Sequence, residues 1–147
     1  MPDKPTFFAQ EFDYSCAVAC LRMVLSGFGI MRIEQELREL CDCGLEGTHA
    51  LKLVDAARKL GLKDTRKCNL TLDELIAERS SEKYPIVCLR TYLNNLPMPT
   101  QHAYVVLNAN QDFVTVLDPL FGERELPTDA FEREWRQMRG LTILCQK

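Results

Sequence analysis

Cys16 follows Asp13 and Ser15, two residues able to cap a helix, and it opens an almost wholly apolar run. This spacing places a thiol at a helix N-terminus, where unpaired backbone N–H groups and the helix dipole favour the thiolate. A thiolate that attacks a carbonyl needs a base and a donor for the developing oxyanion. The chain has two histidines, His49 and His102. His102 begins one β-type run and Asp118 ends the next. A hairpin centred on Asn110 pairs Val106 with Val114, Tyr104 with Val116 and His102 with Asp118, with partners roughly 5 Å apart at Cα. That pairing depends on register, because a one-residue slip sends the two side chains to opposite faces. Pro119 fixes the backbone just beyond Asp118. Gln10 lies six residues before Cys16. Its amide N–H and the backbone N–H of Cys16 together suit an oxyanion. The chemistry these residues describe is acyl transfer. Cys16 attacks, His102 takes the thiol proton and later gives it to the leaving amine, and Asp118 orients the imidazole.

The elements that must position them follow from periodicity and punctuation. Residues 1–9 read as an entry arm. Residues 16–28 form a buried helix ended by Gly27 and Gly29. Ile33, Leu37 and Leu40 recur at helical spacing, so a second helix covers 31–41. Thr48 caps a third, with Leu51, Val54, Ala57 and Leu60 on one face and Gly61 as its stop. Residues 62–68 suit a short strand. Thr71-Leu72-Asp73-Glu74 is a capping box that opens a short helix. Residues 85–91, 102–107 and 113–117 read as strands, with a loop over 94–100 and turns at 108–112 and 118–122. Thr128 or Asp129 caps a helix that packs Phe131 and Trp135 on the sheet, and 141–145 is a last strand. Helices dominate the first half and strands the second, which predicts a single α+β domain over 1–147. The acidic cluster Glu34, Glu36 and Glu39 reads as a solvated helix face.

At 147 residues, with 46% hydrophobic and 27% charged residues, the composition is that of an ordinary globular chain. A net charge of −3 without a basic block argues against nucleic acid as a partner. No apolar stretch reaches membrane-spanning length, since 17–25 is short and carries Arg22, and the N-terminus lacks a signal-peptide core. The expectation is a cytoplasmic chain, or one delivered to a target-cell cytoplasm if it is a toxin, with no insertion into a membrane. Seven cysteines leave at least one thiol free or paired with another chain, and reduced thiols suit that compartment. Cys20, Cys88 and Cys145 sit in apolar runs as small hydrophobes. Cys41-x-Cys43 with His49 and Cys68 imitates a zinc site but lacks the usual second pair, so neither metal nor cofactor is expected.

In this order of residues the sequence resembles the cysteine peptidase family that processes double-glycine leader peptides, known from bacteriocin-exporting ABC transporters. The resemblance rests on Gln10…Cys16-Ala17-Val18-Ala19-Cys20-Leu21-Arg22-Met23 and Phe28-Gly29. It continues through Gly47-Thr48…Leu51…Ala56-Ala57-Arg58-Lys59-Leu60-Gly61-Leu62, Pro85-Ile86-Val87 and His102-Ala103-Tyr104-Val105-Val106-Leu107. Val116-Leu117-Asp118-Pro119 and Phe131…Trp135 complete it. It implies a papain-like fold, hydrolysis after a Gly-Gly pair, and no metal. By position it makes Cys16 the nucleophile, His102 the base, Asp118 the orienter and Gln10 the oxyanion partner. The family usually has Asp-Cys-Gly at the nucleophile; this chain has Ser15-Cys16-Ala17, which reshapes the adjacent cleft without removing a catalytic atom.

The implied substrate is a peptide or protein containing Gly-Gly: a leader peptide, or a target protein if the chain is a toxin-type effector. The partners that go with these roles are a transporter, if the chain is an excised domain, or a dedicated inhibitor (immunity) protein, if it is a toxin. Two other readings use the same residues. One is a non-catalytic peptide-recognition module of a transporter, against which the retention of Cys16, His102 and Asp118 argues. The other is an acyl transferase or amidase, in which only the acceptor differs.

Overall fold

The apolar run after Ser15 folds as α1, Cys16–Gly27, and nearly all of it is buried. The computed structural model describes residues 1–93 and 96–147. Each fully buried leucine of α1 contributes about 1.5–3 kcal/mol through loss of apolar surface to water. The entry arm is strapped across the far end of α1: Asp3 N donates to the Gly27 carbonyl at 2.7 Å. A Cβ on Gly27 would collide with the Asp3 carbonyl oxygen, so the close approach requires glycine.

The second helix, α2, is shorter than its spacing suggested. It covers Glu34–Leu40, with Ile33 extended at its start and 52% exposed instead of packed. The third, α3, covers Ala50–Lys59. Its cap is His49, not Thr48: the His49 ring accepts a hydrogen bond from Leu51 N at 3.2 Å. Leu53, Val54, Ala56 and Ala57 form its inner face, and Leu51 points outward. After α3, turns rather than strand hold residues 60–65, and β1 runs over Arg66–Asn69. The capping box of Thr71 and Glu74 opens α4, Leu72–Ser80.

The strand half continues with β2 (Ile86–Thr91), β3 (Thr100–Ala109) and β4 (Phe113–Asp118). Of the loop expected over 94–100, Asn94 and Asn95 lie outside the described residues, and Thr100 already belongs to β3. A further strand, β5 (Gly122–Pro127), occupies a stretch in which no element was expected. Then come α5 (Thr128–Arg136) and β6 (Leu141–Leu144). Neither Thr128 nor Asp129 caps α5. Pro127 stands at the cap position, and Thr128 Oγ1 donates to the Asn110 carbonyl at 2.9 Å.

Among the described residues there are five helices and one six-stranded antiparallel sheet in the order β1-β6-β2-β3-β4-β5. One side of the sheet, bearing Ala103, Val105 and Leu117, packs with α1 and α3. The other, bearing Tyr104, Val106 and Val116, packs on Phe131 and Trp135 of α5. The α+β expectation, with the nucleophile-bearing helix against an antiparallel sheet, describes this arrangement.

The β3–β4 hairpin corrects the expected register. Ala109 pairs with Val114 and Asn108 with Thr115, so the turn is Gln111-Asp112 and not centred on Asn110. Leu107 is then an extra residue, a bulge, after which Val106 pairs with Val116 and Val105 with Leu117. The net offset from the expected pairing is two residues. A two-residue offset preserves the face, so His102 and Asp118 still point to the same side. The bulge is braced: Arg79 Nε of α4 donates to the Leu107 carbonyl at 2.6 Å, and the guanidinium stacks over Tyr84.

Candidate functional site

Cys16 is the first residue of α1, and its backbone N–H has no intrahelical partner. The thiol is half-buried and lines a cleft of about 780 Å3, together with Tyr14, Gly47, Cys88, His102 and Leu141. The expected capping by Asp13 or Ser15 is absent: Ser15 is at the N-cap position, but its side chain makes no cap bond. Instead Ser15 Oγ accepts from Phe12 N and lies 3.0 Å from the Phe12 carbonyl and 3.1 Å from Glu34 Oε1.

Glu34 therefore leaves the solvated face assigned to it. It is fully buried. Oε1 also accepts from Glu11 N at 3.0 Å, and Oε2 accepts from Arg38 Nε at 3.1 Å. A buried carboxylate is retained when it is paired and hydrogen-bonded, as here. What it holds is the turn from Glu11 to Ser15 that delivers Cys16 to the cleft. The sequence signal was Leu37, three residues on and buried, which marks Glu34 as lying on the inner side of α2.

His102 and Asp118 meet. Continuing the observed register puts Asp118 opposite Tyr104, with His102 one diagonal further along, yet His102 Nε2 is 2.9 Å from Asp118 Oδ1. Diagonal neighbours are within reach of long side chains. With Nε2 engaged by Asp118, Nδ1 is the ring nitrogen left for Cys16, which shares the cleft wall with His102. Burial by itself lowers the His102 pKa, but the influence of Asp118 and Cys16 outweighs it and raises it from 6.5 to about 9.

Asp118 is wholly buried and accepts from three directions. Oδ1 takes His102 and the Leu120 backbone N–H at 2.9 Å, and Oδ2 takes Arg124 Nη1 at 2.8 Å. Burial raises its pKa, but the donors, His102 first, more than offset that and hold the carboxyl below its ordinary value. Arg124 stands on β5, the unexpected strand, so sequence reasoning missed it.

Gln10 is tied to the same corner through its backbone, whose N–H donates to the Pro119 carbonyl at 2.9 Å. Its Nε2 donates to the Phe12 carbonyl at 2.7 Å, and its Oε1 is buried without a partner among the described residues. One N–H of the amide is thus engaged with backbone, and the other is uncommitted.

The remaining cysteines are of another kind. Cys20 is buried one turn beyond Cys16, and its thiol is pushed well up by burial; burial likewise pushes Cys41, Cys88 and Cys145 to about 12. Among the described residues no three His, Cys, Asp or Glu side chains converge on a metal position, the set Cys41, Cys43, His49 and Cys68 included. No helix among them is long and apolar enough to cross a membrane.

The sequence and the fold have parallels among known proteins. The sequence is 34% identical over 138 residues to the transport/processing ATP-binding protein ComA of Streptococcus pneumoniae. That match covers 91% of this chain but only 18% of the relative. The crystal structure of the peptidase domain of Streptococcus ComA superposes with a TM-score of 0.78 at 27% identity, covering 95% of this chain and 97% of that one. A double glycine motif protease from an AMS/PCAT transporter, solved in complex with the leader peptide, shares the fold at a TM-score of 0.78 and 19% identity, covering 99% and 94%. The peptidase C39 family model matches residues 4–147. A half-buried cysteine opening a helix beside a histidine–aspartate pair, on this fold and with these relatives, places the chain in the peptidase C39 family, as a cysteine peptidase.

Proposed function

We propose that the chain hydrolyses a peptide bond following a Gly-Gly pair, with Cys16 as nucleophile, His102 as base, Asp118 as orienter and Gln10 as oxyanion partner. The observation that carries this reading is the shared cleft wall of Cys16 and His102, with Asp118 fixing the far ring nitrogen at 2.9 Å. The imidazole accepts the thiol proton, and its pKa, raised to about 9, suits it to hold that proton until the leaving amine takes it. The sulfur attacks the scissile carbonyl. The oxyanion is met by the Cys16 backbone N–H and the uncommitted amide N–H of Gln10. Imidazolium then protonates the leaving amine, and water, deprotonated by the same imidazole, releases the acyl group.

The Gly-Gly preference and a leader peptide as substrate rest on the fold neighbour that is a double glycine motif protease and on relatives that are transport/processing proteins. A transporter is accordingly the partner this reading favours. The test is cleavage of a synthetic peptide with Gly-Gly before the bond, by wild type and by Cys16→Ala. Wild type is expected to cut there and Cys16→Ala to be inactive; equal cleavage by both would remove Cys16 as nucleophile.

A further inference from the structure

We propose that Arg124 is a positioning residue that locks Asp118 in the orientation His102 requires. This rests on the Cys16–His102–Asp118 reading above. The buried carboxylate has two oxygens, and His102 uses only one of them. Without a partner on Oδ2, only the Leu120 N–H on Oδ1 would stand beside His102 against rotation about the Cβ–Cγ bond. Arg124 Nη1 closes that freedom at 2.8 Å. The guanidinium lies 5.5 Å from the Phe121 ring centre and borders the same outer pocket as Tyr104. Since β5 pairs with β4 through Val116 and Arg124, the strand register delivers this cation to the face that carries Asp118. A charge-assisted bond to a buried acceptor is of the stronger kind.

The ionisable groups facing Asp118 are His102 and Tyr104 from β3, Arg124 from β5, and Cys20 from α1; Cys16 lies beyond His102, and Glu134 of α5 lies beyond Tyr104. Of these, Arg124 is the permanent cation. Its loss favours the protonated carboxyl and shifts the acid limb of the rate profile to higher pH.

An outer pocket of about 300 Å3, bordered by Tyr92, Phe121, Arg124 and Glu134, opens the guanidinium to solvent, and its side chain is 39% exposed. That permits chemical rescue. On the Gly-Gly peptide, Arg124→Ala is expected to lose about tenfold to a hundredfold in kcat, the usual scale for an orienting partner. KM stays within about twofold, because the residue lies outside the cleft that binds peptide. Arg124→Lys, or guanidinium ion added to Arg124→Ala, restores most of the loss. An unchanged kcat and acid limb in folded Arg124→Ala overturns the proposal, as does a loss that neither lysine nor guanidinium repairs. Should Arg124→Ala not fold, Arg124→Gln and Arg124→Lys decide: an acid limb moved in the glutamine variant alone supports the role, and identical profiles overturn it. Cys16→Ala run alongside separates the two readings. Activity surviving there removes the nucleophile assignment, whereas activity lost there and intact in Arg124→Ala removes only this one.

Discussion

Asp118→Asn exchanges one carboxylate oxygen for an NH2 group and removes the buried negative charge against the imidazole. The rise of the His102 pKa from 6.5 to about 9 corresponds to about 3 kcal/mol in favour of imidazolium. Asp118 and Cys16 supply that together against burial, which acts the other way. With Asp118 gone, Cys16 alone opposes burial. The pKa is then expected to fall by about one unit or more, a loss of about 1.4 kcal/mol or more for the protonated ring. Two assays read this. In the pH profile of kcat/KM, wild type should lose activity on the alkaline side near pH 9, and Asp118→Asn should lose it at least about one unit earlier, with kcat reduced about a hundredfold or more. In NMR of protein labelled at histidine, only His49 and His102 contribute. His49→Gln assigns the signals, and His102 is followed directly without any substrate. If His102 titrates at the same pH in both proteins, the charge of Asp118 is not what sustains the imidazolium, and the ion-pair reasoning fails.

Two further expectations concern stability. The folded pKa of His102 lies above its unfolded value, so its contribution is complete below pH 6.5 and is lost as pH rises through about 9, a change of order 3 kcal/mol. The urea midpoint of wild type should therefore drop between pH 7 and about pH 9.5, and His102→Gln should flatten that stretch of the curve. Glu34→Ala leaves the Glu11 N–H without its acceptor and removes one partner each from Arg38, which keeps Glu11, and from Ser15 Oγ, which keeps Phe12. It should cost about 1–3 kcal/mol by denaturation, and surviving folded protein should lose kcat more than KM because the turn into Cys16 loosens.

Much of the candidate site's geometry was legible because its parts are local. An apolar run opened by a cysteine, a histidine and an aspartate bracketing a hairpin, and a proline after the aspartate all speak through short-range pattern, although the side-chain cap expected at Asp13 or Ser15 did not form. The helices around Leu21 and Trp135 followed for the same reason. What escaped depended on long-range geometry. The Leu107 bulge leaves no mark in a period-2 pattern, so the register came out two residues away. The strand holding Arg124 reads Gly-Glu-Arg-Glu-Leu-Pro; it is an edge strand whose alternation is mostly charge against charge, and only Leu126 hints at an inner face. Glu34 looked solvated as one of three acids, although its spacing to Leu37 puts it on the inner side of α2; what α2 does not announce is that the Glu11–Ser15 turn folds over it. The cap of α3 fell to His49 because its ring reaches Leu51 N, while Thr48 Oγ1 is buried with no hydrogen-bond partner.

The braced bulge at Leu107 also constrains how this hairpin can change over evolutionary time. Sheet faces alternate with every residue, so a single insertion or deletion within β3 or β4 between His102 and Asp118 would turn one of the two away from the other. Length changes there must come in pairs, or be absorbed by gaining or losing a bulge. Arg79, which holds the Leu107 carbonyl from α4, is thereby part of that parity rule although it lies far from the cleft in sequence. When homologous chains differ by one residue in this hairpin, the compensating irregularity should be sought at the position equivalent to Leu107, together with a change in whichever side chain caps its carbonyl.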